Sequence, residues 1–102
     1  MTKEIAYIGL GSNLATPEIQ INTARNAITA LPEVSEVAFS SLYLSPPMGP
    51  QDQPDYINAV MAITTALPAI QLLRQLQQIE LDHGRVRKDE RWGARTLDLD
   101  IL

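Results

Sequence analysis

The residues Thr96-Leu97-Asp98-Leu99-Asp100-Ile101-Leu102 alternate polar and apolar side chains. A period of two reads as a strand with Leu97, Leu99 and Ile101 on one face and Asp98 and Asp100 on the other. This limits the possible layering severely. Carboxylates about 6 Å apart at an effective dielectric near 20 repel by roughly 3 kcal/mol, so the acidic face needs something cationic if both groups stay ionised. Carboxylate oxygens suit hard Mg²⁺, which is commonly held by one or two carboxylates together with waters and substrate phosphates. Immediately upstream, five of the eight basic residues (Arg85, Arg87, Lys88, Arg91 and Arg95) fall in one short run that also holds Gly84 and Gly93. A basic, glycine-containing loop joined to an acidic strand points to metal and phosphate.

The rest of the chain divides by its punctuation. Glu4 to Leu10 reads as a strand followed by a Gly11-Ser12-Asn13 turn. Thr16 as N-cap and Pro17 in the first helical position open a helix, with Ile21, Ala24, Ile28 and Leu31 on its apolar stripe and Pro32 as its stop. Val34 to Leu44 alternates around Val37, Phe39, Ser41 and Tyr43 as a second strand, and Pro46 to Pro54 forms an irregular connection. Tyr56 to Thr65 is a third strand. Pro68 opens a second helix with Ala69, Leu72, Leu73, Leu76 and Ile79 on one face, and Gly84 caps its carboxyl end. The resulting order, β-α-β-β-α-β, predicts an α+β, ferredoxin-like fold: both helices lie on one face of an antiparallel sheet and the other face is open. If Leu97, Leu99 and Ile101 pack beneath the helices, Asp98 and Asp100 face the open side.

Composition narrows the setting. A chain of 102 residues with 45% hydrophobic and 20% charged residues is one small globular domain. The absence of cysteine rules out disulfides and thiol nucleophiles and fits a cytoplasmic protein. A net charge of −4 argues against broad nucleic-acid binding, and no apolar run approaches the length that spans a bilayer. Gly9-x-Gly11 lacks the third glycine of a dinucleotide fingerprint, position 14 being Leu14. P-loop and His-Glu-x-x-His patterns are also missing.

Arg91-x-Gly93-x-Arg95-x-x-Asp98-x-Asp100 resembles the signature of the 6-hydroxymethyl-7,8-dihydropterin pyrophosphokinase family of folate biosynthesis. Three further stretches, in the same order along the chain, resemble that family: Ile8 to Leu14, Ser45 to Val60, and Gln77 to Arg87. The family domain continues past this signature whereas the sequence stops on it. The resemblance therefore implies a single domain over residues 1–102 that lacks the family's carboxyl-terminal part, leaving a sheet face that this part would cover and little activity in these residues alone.

The resemblance implies ATP as co-substrate, two Mg²⁺ ions held by Asp98 and Asp100, and Arg85 and Arg95 as catalytic arginines. Their guanidinium groups suit phosphate oxygens in bidentate geometry. Arg87, Arg91, Gln77 and Glu80 belong beside the nucleotide, Gln77 and Glu80 otherwise reading as polar positions flanking a helix stripe. Trp92, unusual on a wholly solvated loop, closes over the pterin and nucleotide. Tyr56 and Asn58 share a strand face and supply an aromatic platform and a two-way amide for a flat heterocycle. Ser45, Pro46 and Met48 approach the same ring, largely through backbone, and Asp98 lies near its hydroxymethyl group. His83, near a helix carboxyl end, is assigned no chemistry.

Two other classes share parts of this pattern. A ferredoxin-like ligand- or RNA-binding module would also use an open sheet face, though the aromatic-rich RNA motif is absent. Another two-metal nucleotidyltransferase would also accept two strand aspartates.

Overall fold

The computed structural model describes residues 3–13, 17–46, 55–83 and 97–102. Its elements are β1 (Glu4–Ser12), α1 (Pro17–Thr29), β2 (Val34–Phe39), β3 (Tyr43–Ser45), β4 (Tyr56–Thr65), α2 (Ala69–Asp82) and β5 (Asp98–Ile101). The sheet order is β2-β4-β1-β5, with β3 beside β4 and every pairing antiparallel. With β2 and β3 taken as two parts of one edge strand, this is the expected ferredoxin-like arrangement.

Period-two alternation separates the faces of the central strands. Ile8 and Leu10 of β1, Ala59, Met61 and Ile63 of β4, and Leu99 of β5 are buried on the helix side. Ile21, Ala24 and Ile28 of α1 meet them, as do Leu72, Leu76 and Ile79 of α2. Here α1 packs on β1, β2 and β4, α2 packs on β5, and the two helices touch. Burying one such aliphatic side chain contributes about 1.5–3 kcal/mol, so the apolar periodicity of both helices fixes which sheet face is covered. Arg25 of α1 adds a peripheral tie: its guanidinium lies 4.2 Å from the Phe39 ring centroid and bonds Glu36 at 2.7 and 2.8 Å. The Arg25 hydrogen bond holds the Glu36 carboxyl below its usual range. This tie therefore acts above the ordinary carboxylate range and is lost as pH falls through the lowered value.

The expected second strand, Val34 to Leu44, is divided. Register shifts between Glu36 and Ala38, leaving Val37 as an exposed bulge. At Ser40 the ladder is handed to a side chain: Ser40 N–H donates to Val60 O at 2.9 Å, while Val60 N–H donates to Ser40 Oγ at 2.8 Å. A serine hydroxyl that takes a ladder position in this way competes with regular pairing. Phe39 consequently lies opposite Met61 and packs toward the core, whereas Tyr43 lies opposite Asn58 on the other face. The expectation that Phe39 and Tyr43 share a face is thereby corrected.

Other boundaries move by a few residues. Gly11 and Ser12, expected in a turn, continue β1 because Asn58 and Ile57 remain available as partners. The last strand is shorter than expected, Asp98–Ile101, although Leu102 N–H still donates to Tyr7 O at 2.9 Å. Thr16 and Gly84, expected as caps, lie outside the described residues.

Glu33 occupies the left-handed region at φ 65°, just after Pro32. A side chain there costs roughly 1–2 kcal/mol, partly offset in glycine by its greater chain entropy. Glu33→Gly should therefore stabilise the fold by about 0.5–1 kcal/mol, raising Tm by a few degrees in thermal unfolding. An unchanged or lower Tm would contradict the strain.

Candidate active-site face

β5 sits at the end of the described sheet with Asp98 opposite Gly11 and Asp100 opposite Gly9. On the other side of β1, Gly11 faces Asn58 and Gly9 faces Val60. Directly opposed residues share a sheet face, so Tyr43, Asn58, Gly11 and Asp98 form one row across β3, β4, β1 and β5. Asn58 and Asp98 are separated by two strand spacings, about 10 Å, across a position with no side chain. The glycines thus floor a trough with an amide and tyrosine on one bank and two carboxylates on the other.

The amide bank is constrained. Asn58 Nδ2 donates to Ser45 Oγ at 2.7 Å, and β3 places Ser45 opposite Tyr56. A Cβ added at Gly11 would lie 3.1 Å from Asn58 Oδ1 and 3.6 Å from Tyr56 Cδ1. Bare backbone at position 11 therefore leaves the amide its place. The nearest atoms to an equivalent Cβ at Gly9 belong to Leu102, the first at 3.5 Å, an ordinary contact. Farther along the same face Ile5, Tyr7 and Leu102 are exposed, so the trough is polar near Gly11 and apolar beyond Gly9.

The carboxylate bank suits a magnesium ion. Asp98 is half-buried, Asp100 is exposed, and both turn away from the helices. Their Cα atoms are about 7 Å apart along the strand. Opposite them stand Gly9 and Gly11, so side chains from β1 do not fill the space above that edge. Among the described residues no group of three or more His, Cys, Asp or Glu side chains could hold a metal. A hard ion carried by two carboxylates is completed by waters and phosphate oxygens.

Of the residues expected at the site, Ser45, Tyr56, Asn58, Asp98 and Asp100 come together on this face, with Pro46 exposed just after β3. Gln77 is exposed on α2. Glu80, expected beside the nucleotide, is 4% exposed, and its Oε2 accepts Leu99 N–H at 2.7 Å. Met48, Arg85, Arg87, Arg91, Trp92 and Arg95 lie outside the described residues. Three features escaped sequence reasoning: the glycine floor, the Ser45 hydroxyl on Asn58, and the grip of Glu80 on β5. Only the first had a signal, glycines at a spacing of two within a strand, which leave a bare stripe on one face.

Fold and face together describe a ferredoxin-like α+β protein with paired carboxylates on an open sheet surface. The family model for 7,8-dihydro-6-hydroxymethylpterin-pyrophosphokinase matches residues 7–102, and the chain belongs to that family. A relative from Haemophilus influenzae, named 2-amino-4-hydroxy-6-hydroxymethyldihydropteridine pyrophosphokinase, is 58% identical over 97 residues, covering 95% of this chain and 60% of its own length. Relatives bearing the same name in Pseudomonas aeruginosa and Pseudomonas putida are 57% and 54% identical. These matches cover 94% and 95% of this chain, and 59% and 79% of the respective relatives. The chain thus spans about three-fifths of the length of the first two relatives.

The two glycines are distinguishable by substitution. Gly9→Ala should stabilise the strand by about 0.5–1 kcal/mol. Gly11→Ala should forfeit that gain and shift the Asn58 side-chain amide resonances, leaving those of buried Ile63 in place. Thermal unfolding and amide NMR read both effects. An unmoved Asn58 amide in Gly11→Ala would refute the close approach.

Proposed function

We propose that this chain carries the strand-borne part of an ATP-dependent pyrophosphokinase site that acts on 6-hydroxymethyl-7,8-dihydropterin in folate biosynthesis. The observation that carries this reading is the shared face. A group suited to a flat hydrogen-bonding ring and a group suited to a metal-bound triphosphate stand about 10 Å apart over bare backbone. Family membership and the names of the relatives support the same reaction.

In this reading the pterin lies toward β4, with Tyr56 beside the ring and Asn58 pairing with its polar edge. The Ser45 hydroxyl fixes the amide, so the ring meets a donor and an acceptor already oriented, and little side-chain freedom is lost on binding. Pro46 and Met48 border the same subsite. The hydroxymethyl arm then reaches over Gly11 toward Asp98. Its oxygen bonds to the β-phosphorus of ATP, the bond between that phosphorus and the oxygen bridging to the α-phosphate breaks, and AMP leaves. The hydroxyl proton is released in the same exchange.

Asp98 and Asp100 would hold two Mg²⁺ ions. When bound, these supply neutralisation of the phosphate charge and polarisation of the phosphoryl oxygens. Arg85 and Arg95 serve the triphosphate in the same electrostatic sense, with Arg87, Arg91 and Gln77 beside the nucleotide and Trp92 closing over the occupied site. The protein's work is positioning and charge compensation, as in phosphoryl transfer generally. Among the described residues no helix is long and apolar enough to cross a membrane. With a cysteine-free sequence, the reading places the reaction in the cytoplasm.

Product analysis tests the reaction. In a protein extended to the relatives' full length, incubation with ATP, Mg²⁺ and the hydroxymethyl pterin should release AMP and pyrophosphorylated pterin one for one, whereas ADP with a monophosphorylated product would contradict it. Asp98→Asn or Asp100→Asn should lower that turnover by about 10²-fold or more, the scale on which loss of one electrostatic group is felt. Tm should hold or rise, because the substitution also relieves like-charge repulsion. Near-normal turnover in either variant would remove the metal assignment.

A further inference from the structure

β5 is four residues long and, in the described sheet order, has a neighbour only in β1. Antiparallel pairing directs alternate amides of such a strand toward its partner and the others away. Leu102 N–H donates to Tyr7 O, which makes Asp98, Asp100 and Leu102 the residues whose amides face β1. Leu99 N–H therefore points to the outer edge. There it meets Glu80 Oε2 at 2.7 Å, in the buried layer between α2 and the sheet.

A buried carboxylate is costly to desolvate and is kept only where strong hydrogen bonds compensate it. A charge-assisted bond to a backbone amide is one of the stronger kind. The position of Glu80 is also fixed from behind. It follows Ile79 and lies one turn after Leu76, both buried residues that seat α2 against the sheet. The bond lands on the amide between Asp98 and Asp100, the two residues whose carboxylates must stay in place against Gly11 and Gly9. A short edge strand paired on one side frays easily, and any slide or lift of β5 would move both carboxylates together.

We propose that Glu80 is a positioning residue for the cation site: by holding Leu99 N–H from α2, it fixes the height and register of Asp98 and Asp100 over the glycine floor. This rests on the reading of those aspartates as metal ligands. It assigns Glu80 an effect on the metal that passes through backbone rather than through a bond to the ion. Glu80→Gln keeps the shape and an oxygen acceptor but loses the charge, and Glu80→Ala removes the acceptor.

The test titrates Mn²⁺, as a spectroscopic probe, into the chain in the presence of a non-hydrolysable ATP analogue, reading free Mn²⁺ by electron paramagnetic resonance. Hydrogen exchange at the Leu99 amide is followed in parallel. Glu80→Ala should weaken Mn²⁺ binding at least tenfold and speed Leu99 exchange by a similar factor, while buried Ile63 keeps its protection. Glu80→Gln should fall between Glu80→Ala and wild type in both readouts, and it decides the matter alone if Glu80→Ala fails to fold. Faster Leu99 exchange with Mn²⁺ affinity within twofold of wild type would overturn the proposal, leaving Glu80 as a strand-edge closure only. Wild-type protein that binds the analogue yet shows no Mn²⁺ site would overturn the metal reading itself, and the positioning role with it.

Discussion

Two carboxylates on one side of a short strand can both stay ionised only where that side is not packed with hydrocarbon, and the layering of this protein follows from that restriction. Leu97 and Leu99 go under the helices, so Asp98 and Asp100 turn to the other face. Antiparallel register then carries the same division through β1 and β4. Ile8 and Leu10 pack inward while Gly9 and Gly11 put no side chain on the other face, and Ala59, Met61 and Ile63 pack inward while Asn58 and Val60 face the trough. Core and candidate site are opposite sides of the same strands. A change that slipped the register by one residue would exchange them.

The site differs from a pocket lined by loops in where its precision comes from. Tyr56, Asn58, Asp98 and Asp100 are strand residues whose spacing is set by ladder hydrogen bonds, and the Ser45 hydroxyl adds a cross-strand contact that fixes the amide. Residues on such elements are held more exactly than residues on free segments, which suits a reaction in which protein groups mainly position charge. In the proposed function the strands set the ring and metal ends, and the arginine-rich stretch serves the phosphates.

Much of the fold could be read from periodicity alone. The 3.6-residue stripe at Ile21, Ala24 and Ile28, and the alternation of Leu97 and Leu99 with Asp98 and Asp100, each announced which side would be buried, and these apolar residues are buried as expected. What the sequence hid depends on contacts between distant segments. Nothing local distinguishes the Ser40 hydroxyl, which bonds Val60 twenty residues away, from any other serine, so the break between β2 and β3 was not visible. Glu80 could be read from the sequence only as a nucleotide-side residue or a polar position flanking an apolar stripe, because burial of its carboxylate depends on an edge amide supplied by β5. The proposed pterin substrate was likewise absent from spacing and composition; it entered through resemblance of whole motifs, and family membership supports the proposal.

The central claim is that one face of the sheet joins a cation end at Asp98 and Asp100 to a ring end at Asn58. Paramagnetic broadening by Mn²⁺ bound together with a non-hydrolysable ATP analogue measures this most directly, because it reports distance from the ion at every resolved amide. The strongest broadening should fall at Gly9, Gly11 and Asp98 to Asp100, with clear broadening of the Asn58 side-chain amide and much weaker effects at Ile28 on the far side of the core. Broadening centred on the helix layer, or an Asn58 amide no more affected than Ile28, would contradict it.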